Sequence, residues 1–216
     1  MTDERTYLMT GKTHLAIGTA AAVCLLHPAT PREWVISTAA AAVGSVICDV
    51  DVSTSNSHEK LNQISALTVL AAAAVCFLEF RFHLGILGHF SRESSWFRLF
   101  SGFLILLAVC TFGKSRPHRS FMHSIPCWLL LSGVVFYMYP ALMPGFSVGM
   151  LSHIAADLLN RKKVRLLYPL KWGLCFDLCS SYGFISRILT RAAGTIFIAV
   201  SLILFLIYFL SATGRI

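Results

Sequence analysis

The stretch Ala192 to Gly214 contains no charged residue. It exceeds the about 20 apolar residues that an α-helix needs to cross a bilayer core. Leu61 to Leu78 is a second charge-free run, and Ser124 to Ser152 a third. The third is too long for one crossing and is broken by Pro140 and Pro144. Leu99–Gly113, Trp34–Cys48 and Leu15–Leu26 are shorter runs of the same kind. Only 13% of residues are charged, 56% are hydrophobic, and mean hydropathy is +0.70. A soluble domain carries about 25% charged residues. Alternating strand patterns are absent, which argues against a barrel. The expectation is an all-α, polytopic transmembrane bundle of five to seven segments, some of them short. The whole chain, 1–216, is read as one integral membrane domain. Its last helix falls near 193–213.

The charge pattern supplies a topology. The apolar segments are 15–31, 34–48, 61–79, 98–113, 125–143, 145–159 and 193–213. If the chain crosses at each, one face receives Arg5, Lys12, Lys60, Lys114, Arg116, Arg119, Arg161, Lys162, Lys163, Arg165, Lys171, Arg187 and Arg191. The other receives only Arg32, Arg81, Arg92, Arg98 and Arg215. The excess of Lys and Arg assigns the first face to the cytoplasm. The net charge of +8 is accounted for by topology and lipid headgroups, and no nucleic-acid partner is expected. The charged start followed by the Leu15 run has the outline of a signal peptide. It is read as an uncleaved first helix, because His14 belongs with the residues below.

Four stretches deliver His and Asp to that same face. They are Gly11-Lys12-Thr13-His14, Cys48-Asp49-Val50-Asp51 with the serines and threonine that follow, Pro117-His118-Arg119-Ser120-Phe121-Met122-His123-Ser124, and Ser152-His153-Ile154-Ala155-Ala156-Asp157. His153 and Asp157, four apart on a helix, share a face. Asp49 and Asp51, read as extended, would point to one side. Imidazole with carboxylate suits zinc, with manganese or iron as alternatives, and a carboxylate pair can bridge two ions. One to three ions are expected.

Simpler readings exist for each piece. Asp49 with Asp51 fits a helix-exit turn, and Asp157 a cap or a partner for Arg161. His27, His83 and His89 fall on the opposite face and are read as interfacial polar residues. His58 is left outside the core set. Arg119 can hold a phosphate or carboxylate or anchor to lipid, with Lys12, Thr13 and Ser124 weaker candidates of that type. Cys24, Cys48, Cys76, Cys110 and Cys127 are small hydrophobes in apolar runs. Cys175 and Cys179, four apart, would share a helix face but do not make a metal site alone. No disulfide framework is suggested. What argues against the simple readings taken together is that four clusters converge on one face, where charge near hydrocarbon is costly and generally functional.

The order of these motifs resembles the YdjM-type family of bacterial inner-membrane proteins, described as metal-dependent hydrolases. The resemblance rests on Thr13-His14, the Asp49/Asp51 pair, His118-Arg119-Ser-Phe-Met-His123-Ser, Gly149-Met-Leu-Ser-His153-Ile-Ala-Ala-Asp157-Leu-Leu and Leu166-Leu-Tyr-Pro169. It covers about residues 9–172, the expected metal-site core. It implies metal-ligand roles for His14, Asp49, Asp51, His118, His123, His153 and Asp157. The chain departs from the pattern at Cys48, usually Pro, and at Ser120 and Met122, where Gly and Thr are usual. The last change would remove a supporting hydrogen bond.

The function expected is a hydrolase of the bacterial inner membrane, acting on an ester or phosphoester of a lipid or lipid-linked substrate at the cytoplasmic face. Its catalytic candidates are Asp49 or Asp51 as general base and Arg119 on the phosphate. Two other readings use the same residues: a metal-ion carrier or sensor, and a non-catalytic protein with a structural metal site.

Overall fold

The structure is a computed structural model and describes residues 11–52, 55–82, 94–178 and 184–213. These form seven α-helices and two short 3-10 turns, with no strand beyond one isolated bridge between Val164 and Leu174. The helices are α1 (Gly11–Leu26), α2 (Pro31–Ile47), α3 (Asn56–Phe82), α4 (Ser95–Lys114), α5 (Ile125–Met138), α6 (Met143–Leu158) and α7 (Phe184–Ala212). Four segments are long and apolar enough to cross a membrane: Pro31–Asp51, Asn56–Phe82, Ser95–Lys114 and Ser186–Ala212. Shorter apolar helices, α1 and α5, accompany them. The expected polytopic helical bundle is what the chain forms.

Local chemistry sets the boundaries. The first segment was expected to run to residue 31, but α1 stops at Leu26. His27 turns left-handed there with φ 46°, and Pro31 opens α2. The Thr30 hydroxyl accepts from Glu33 N at 3.2 Å, and the Glu33 carboxylate accepts from Ala29 N at 2.9 Å. These bonds satisfy free amides at the helix start. Ser124 caps α5 in the same way through Cys127 N. The long run 124–152 divides at Tyr139, where extended backbone and Pro140 end α5, and α6 follows after a 3-10 turn. Helix α7 begins at 184, earlier than the apolar run alone predicted.

Helix α6 packs on α2, α1 and α5, while α7 packs on α1 and α4 on α5. Backbones approach closely along α2 and α6. A Cβ on Gly44 would strike the Phe146 carbonyl, one on Gly145 the Ser37 backbone, and one on Gly149 the Ala41 backbone. Small residues at helix contacts are how membrane helices gain packing where burial from water adds little. The opposite surfaces of α3 and α7 expose Leu67, Val69, Leu70, Leu202, Leu206 and Phe209. Such continuous apolar faces are suited to lipid.

Two expectations are corrected here. Asp49 and Asp51 lie on a 3-10 turn, Cys48–Asp51, that tightens the exit of α2, and not on an extended segment. Cys175 lies in non-helical chain, so it shares no helix face with Cys179, which is outside the described residues. Ser53, Thr54, His83, His89, Arg5, Arg92 and Arg215 also lie outside them, as do the side chains of Cys76 and of residues 79, 184 and 185.

Candidate metal centre

The ends of several helices meet at one end of the bundle, and every His and Asp singled out as a ligand is there. His14 comes from the first turn of α1, Asp49 and Asp51 from the turn after α2, and His118 and His123 from the loop before α5. His153 and Asp157 come from the last turns of α6. Thr13 fastens the start of α1 to α7, with hydroxyl contacts to Thr190 at 2.9 Å and Ser186 at 3.5 Å.

The rings and carboxylates are packed edge to edge. His14 stacks on His153, ring centroids 3.8 Å apart. His123 Nε2 is 3.2 Å from His153 Nε2 and 3.1 Å from Asp157 Oδ2. His123 Nδ1 faces Asp51 Oδ2 at 3.5 Å, and His118 Nδ1 meets Asp51 Oδ1 at 2.8 Å. His153 Nε2 lies 3.6 Å from Asp49 Oδ1, and His14 Nε2 lies 3.6 Å from Asp157 Oδ1. A tetrahedral ion with ligands at 2.0–2.1 Å separates its donor atoms by roughly 3.3 Å, so these spacings fit a shared cation. Three overlapping triads arise: His14–His153–Asp157, Asp49–His123–His153 and Asp51–His118–His123. In each, one ligand atom from every residue lies within 4.8 Å of the others.

The fit is tested by the hydrogen bonds. Seven buried side-chain atoms among the described residues have no hydrogen-bond partner: His14 Nδ1, Asp51 Oδ2, His118 Nε2, Arg119 Nε, His123 Nδ1, Asn160 Oδ1 and Ser132 Oγ. All but Ser132 belong to this cluster or touch it. Buried polar atoms are rarely left unpaired, and an absent ion is one of the accepted reasons. Burial by itself would lower the pKa of His123, but the Asp51 and Asp157 carboxylates push it up to about 10. The two carboxylates therefore draw positive charge to this point, a demand that a divalent ion also meets.

Supporting residues orient the ligands. The Ser45 carbonyl accepts from His153 Nδ1 at 2.7 Å, which turns Nε2 towards the cluster. Arg119 is 2% exposed and donates through Nη2 to Asp157 Oδ1 at 3.0 Å and through Nη1 to the Lys162 carbonyl at 2.7 Å. Its backbone is left-handed, φ 62°. Asp157 is thus the partner of Arg119, while Arg161 pairs with Asp177 at the surface. Asn160, outside every motif singled out above, donates to Asp157 Oδ1 at 3.0 Å. Its place three residues after Asp157, at a helix end, was the available signal. His58 reaches the Val50 carbonyl at 2.8 Å, Ser57 the Val46 carbonyl, and Ser55 the Asp49 carbonyl. Together they brace the Asp turn. Met122 is fully buried beside Gly113 and Cys127, so this side chain serves the core and not a ligand. Ser124 is occupied as the α5 cap, and His27 is exposed away from the cluster.

A helical membrane protein whose helix ends gather a buried His/Asp cluster with the donor set of a metal centre is the class that fold and site define. The chain matches the YdjM inner membrane protein family over residues 9–215 and belongs to it. That match extends past the motifs that first suggested the family and includes all of α7. No curated protein and no solved structure matches the chain.

Proposed function

We propose that this chain is a metal-dependent hydrolase of the inner membrane that cleaves an ester or phosphoester of a lipid or lipid-linked substrate at the cytoplasmic face. The observation that carries this reading is the convergence of seven His and Asp side chains, most of them buried and several with unpaired polar atoms, at one end of a membrane bundle. A bound divalent ion would lower the pKa of a water and stabilise charge on the ester oxygens. His14, Asp51, His118, His123, His153 and Asp157 supply ligands, and Asp49 stands nearest to solvent among the three carboxylates. Arg119 in this reading holds Asp157 in place, because both of its terminal nitrogens are already engaged.

A lipid substrate is favoured by what surrounds the cluster. The segment 161–178 exposes Leu167, Leu170, Trp172, Phe176 and Leu178 alongside Lys163 and Lys171. It is tied to the site by Arg165 N on the Arg119 carbonyl at 2.9 Å and by Ile125 N on the Leu166 carbonyl at 2.9 Å. Trp, aliphatic and basic side chains together suit the headgroup level of a bilayer. The concentration of Lys and Arg at this end of the helices supports a cytoplasmic site.

The test uses detergent-purified protein, metal-depleted and reloaded with zinc or manganese, and incubated with labelled phospholipids and prenyl phosphates. The wild type should release a water-soluble phosphate or alcohol, and His153→Ala and Asp157→Ala should not. Absence of turnover with every divalent metal, or turnover unchanged in both variants, would remove the proposal.

A further inference from the structure

Resting on the metal-dependent reading above, we infer that the centre takes two ions, one in His14–His153–Asp157 and one in Asp51–His118–His123, and that Asp49 stands outside both sets as the acid–base group. The three triads cannot all be filled. The Ser45 carbonyl can only accept, so His153 Nδ1, 2.7 Å away, carries the ring hydrogen. Its one lone pair is then on Nε2, and His153 serves a single ion. His123 has two nitrogens facing the cluster, but a neutral imidazole also has only one lone pair. The middle triad, Asp49–His123–His153, needs both of these rings and so excludes each of the others. The outer two share no residue. With both rings ligating, the alternatives are one ion in the middle or two at the sides.

The unpaired atoms favour the Asp51 side: Asp51 Oδ2, His118 Nε2 and His123 Nδ1 supply one atom from each member of that triad. On the other side, His14 Nε2 lies 3.6 Å from Asp157 Oδ1 and His153 Nε2 lies 3.8 Å from Asp157 Oδ2. A proton on His123 Nε2 satisfies Asp157 Oδ2 at 3.1 Å and leaves Nδ1 for the Asp51 side. The hydrogen-bond pattern therefore already separates the two sets and links them through one ring. Exposure divides the carboxylates the same way. Asp51 and Asp157 side chains are 1% and 3% exposed, whereas Asp49 is 19% exposed beside His118 at 21%. The two carboxylates assigned as ligands are sealed, and the remaining one opens outwards on the side of His118.

In hydrolysis, the oxygen of a water forms a bond to the phosphorus or carbonyl carbon, and its proton passes to Asp49. The ester bond to the alcohol oxygen breaks, and that oxygen takes the proton back from Asp49. No other reactant is required.

The test is metal binding by full-length protein in detergent. Cobalt is added to depleted wild type and followed by its visible absorption, with zinc content measured after dialysis. The titration should break at about two equivalents, as paired sites require, and this arm needs no variant. His14→Gln and His118→Gln should each keep about one ion, and Asp49→Asn should keep both while hydrolysis falls by roughly 100-fold or more, the scale of a lost general base. Wild type that binds no ion ends the reading of the previous subsection as well. Wild type that breaks at one equivalent, Asp49→Asn that loses an ion, or a single His variant that loses both overturns the two-ion assignment and leaves the hydrolase reading standing.

Discussion

Arg119 joins two costs in one residue. Its left-handed backbone, φ 62°, is unfavourable for a side chain with a Cβ by about 1–2 kcal/mol. Its guanidinium is buried against Asp157. Removing one partner of a buried ion pair leaves the other uncompensated, at about 3–5 kcal/mol. Arg119→Ala should therefore lower stability by about that amount, and Arg119→Gly by about 1 kcal/mol less, because glycine adopts this conformation freely. Denaturation in mixed detergent micelles measures both, and equal losses would show that the backbone carries no strain. At His123 the sign of a pH effect is fixed. The neighbouring carboxylates raise its pKa to about 10, so the ring must give up a proton to become a ligand. Zinc should bind more tightly at about pH 8 than at about pH 6, since protons compete for the ligand atoms. Equal affinities from competition dialysis would remove His123 from the ligand set.

At the scale of helices, α2 and α6 act as one unit. Helix α6 carries His153 and Asp157, the turn that closes α2 carries Asp49 and Asp51, and each glycine in the α2–α6 contact meets backbone on the other side. Gly149→Val should push the pair apart and cost about 1–3 kcal/mol through overpacking. It should also lower metal content, although position 149 is not a ligand. Gly133 on α5 has nothing within 4 Å of an added Cβ. Gly133→Ala should leave metal content unchanged and raise stability by up to about 1 kcal/mol, the helix preference of alanine. If Gly149→Val keeps full metal occupancy, the α2–α6 contact does not set the site.

For the whole molecule, the proposed orientation places the cluster and its basic fringe on the cytoplasmic side. Cysteines introduced at Lys60 and Lys171, both exposed at the cluster end, should be shielded from an impermeant maleimide in intact cells. A cysteine at exposed Arg32, at the other end of α2, should react. The reverse pattern would move the site to the outer face and void the cytoplasmic part of the proposal.

Composition and run length alone fixed the helical membrane class, because a backbone in lipid must satisfy its own hydrogen bonds and helices do this locally. The seven ligand candidates were also legible, since His and Asp are costly near hydrocarbon and stand out against it. Their helical spacing placed His153 with Asp157 correctly, as an i, i+4 relation depends on one element only. What needed the tertiary structure was everything set by neighbours distant in the chain. Asp49 and Asp51 were misread as extended because no local signal distinguishes a strand from a tight 3-10 exit braced by Ser55, Ser57 and His58. Arg119 was read as holding a phosphate or carboxylate or anchoring to lipid; its contact with Asp157, 38 residues away in the chain, is visible only in the fold. Which nitrogen of His153 faces the centre was decided by a carbonyl on another helix. Spacing along the chain fixes which residues can share a face; only packing fixes which atoms they present to one another.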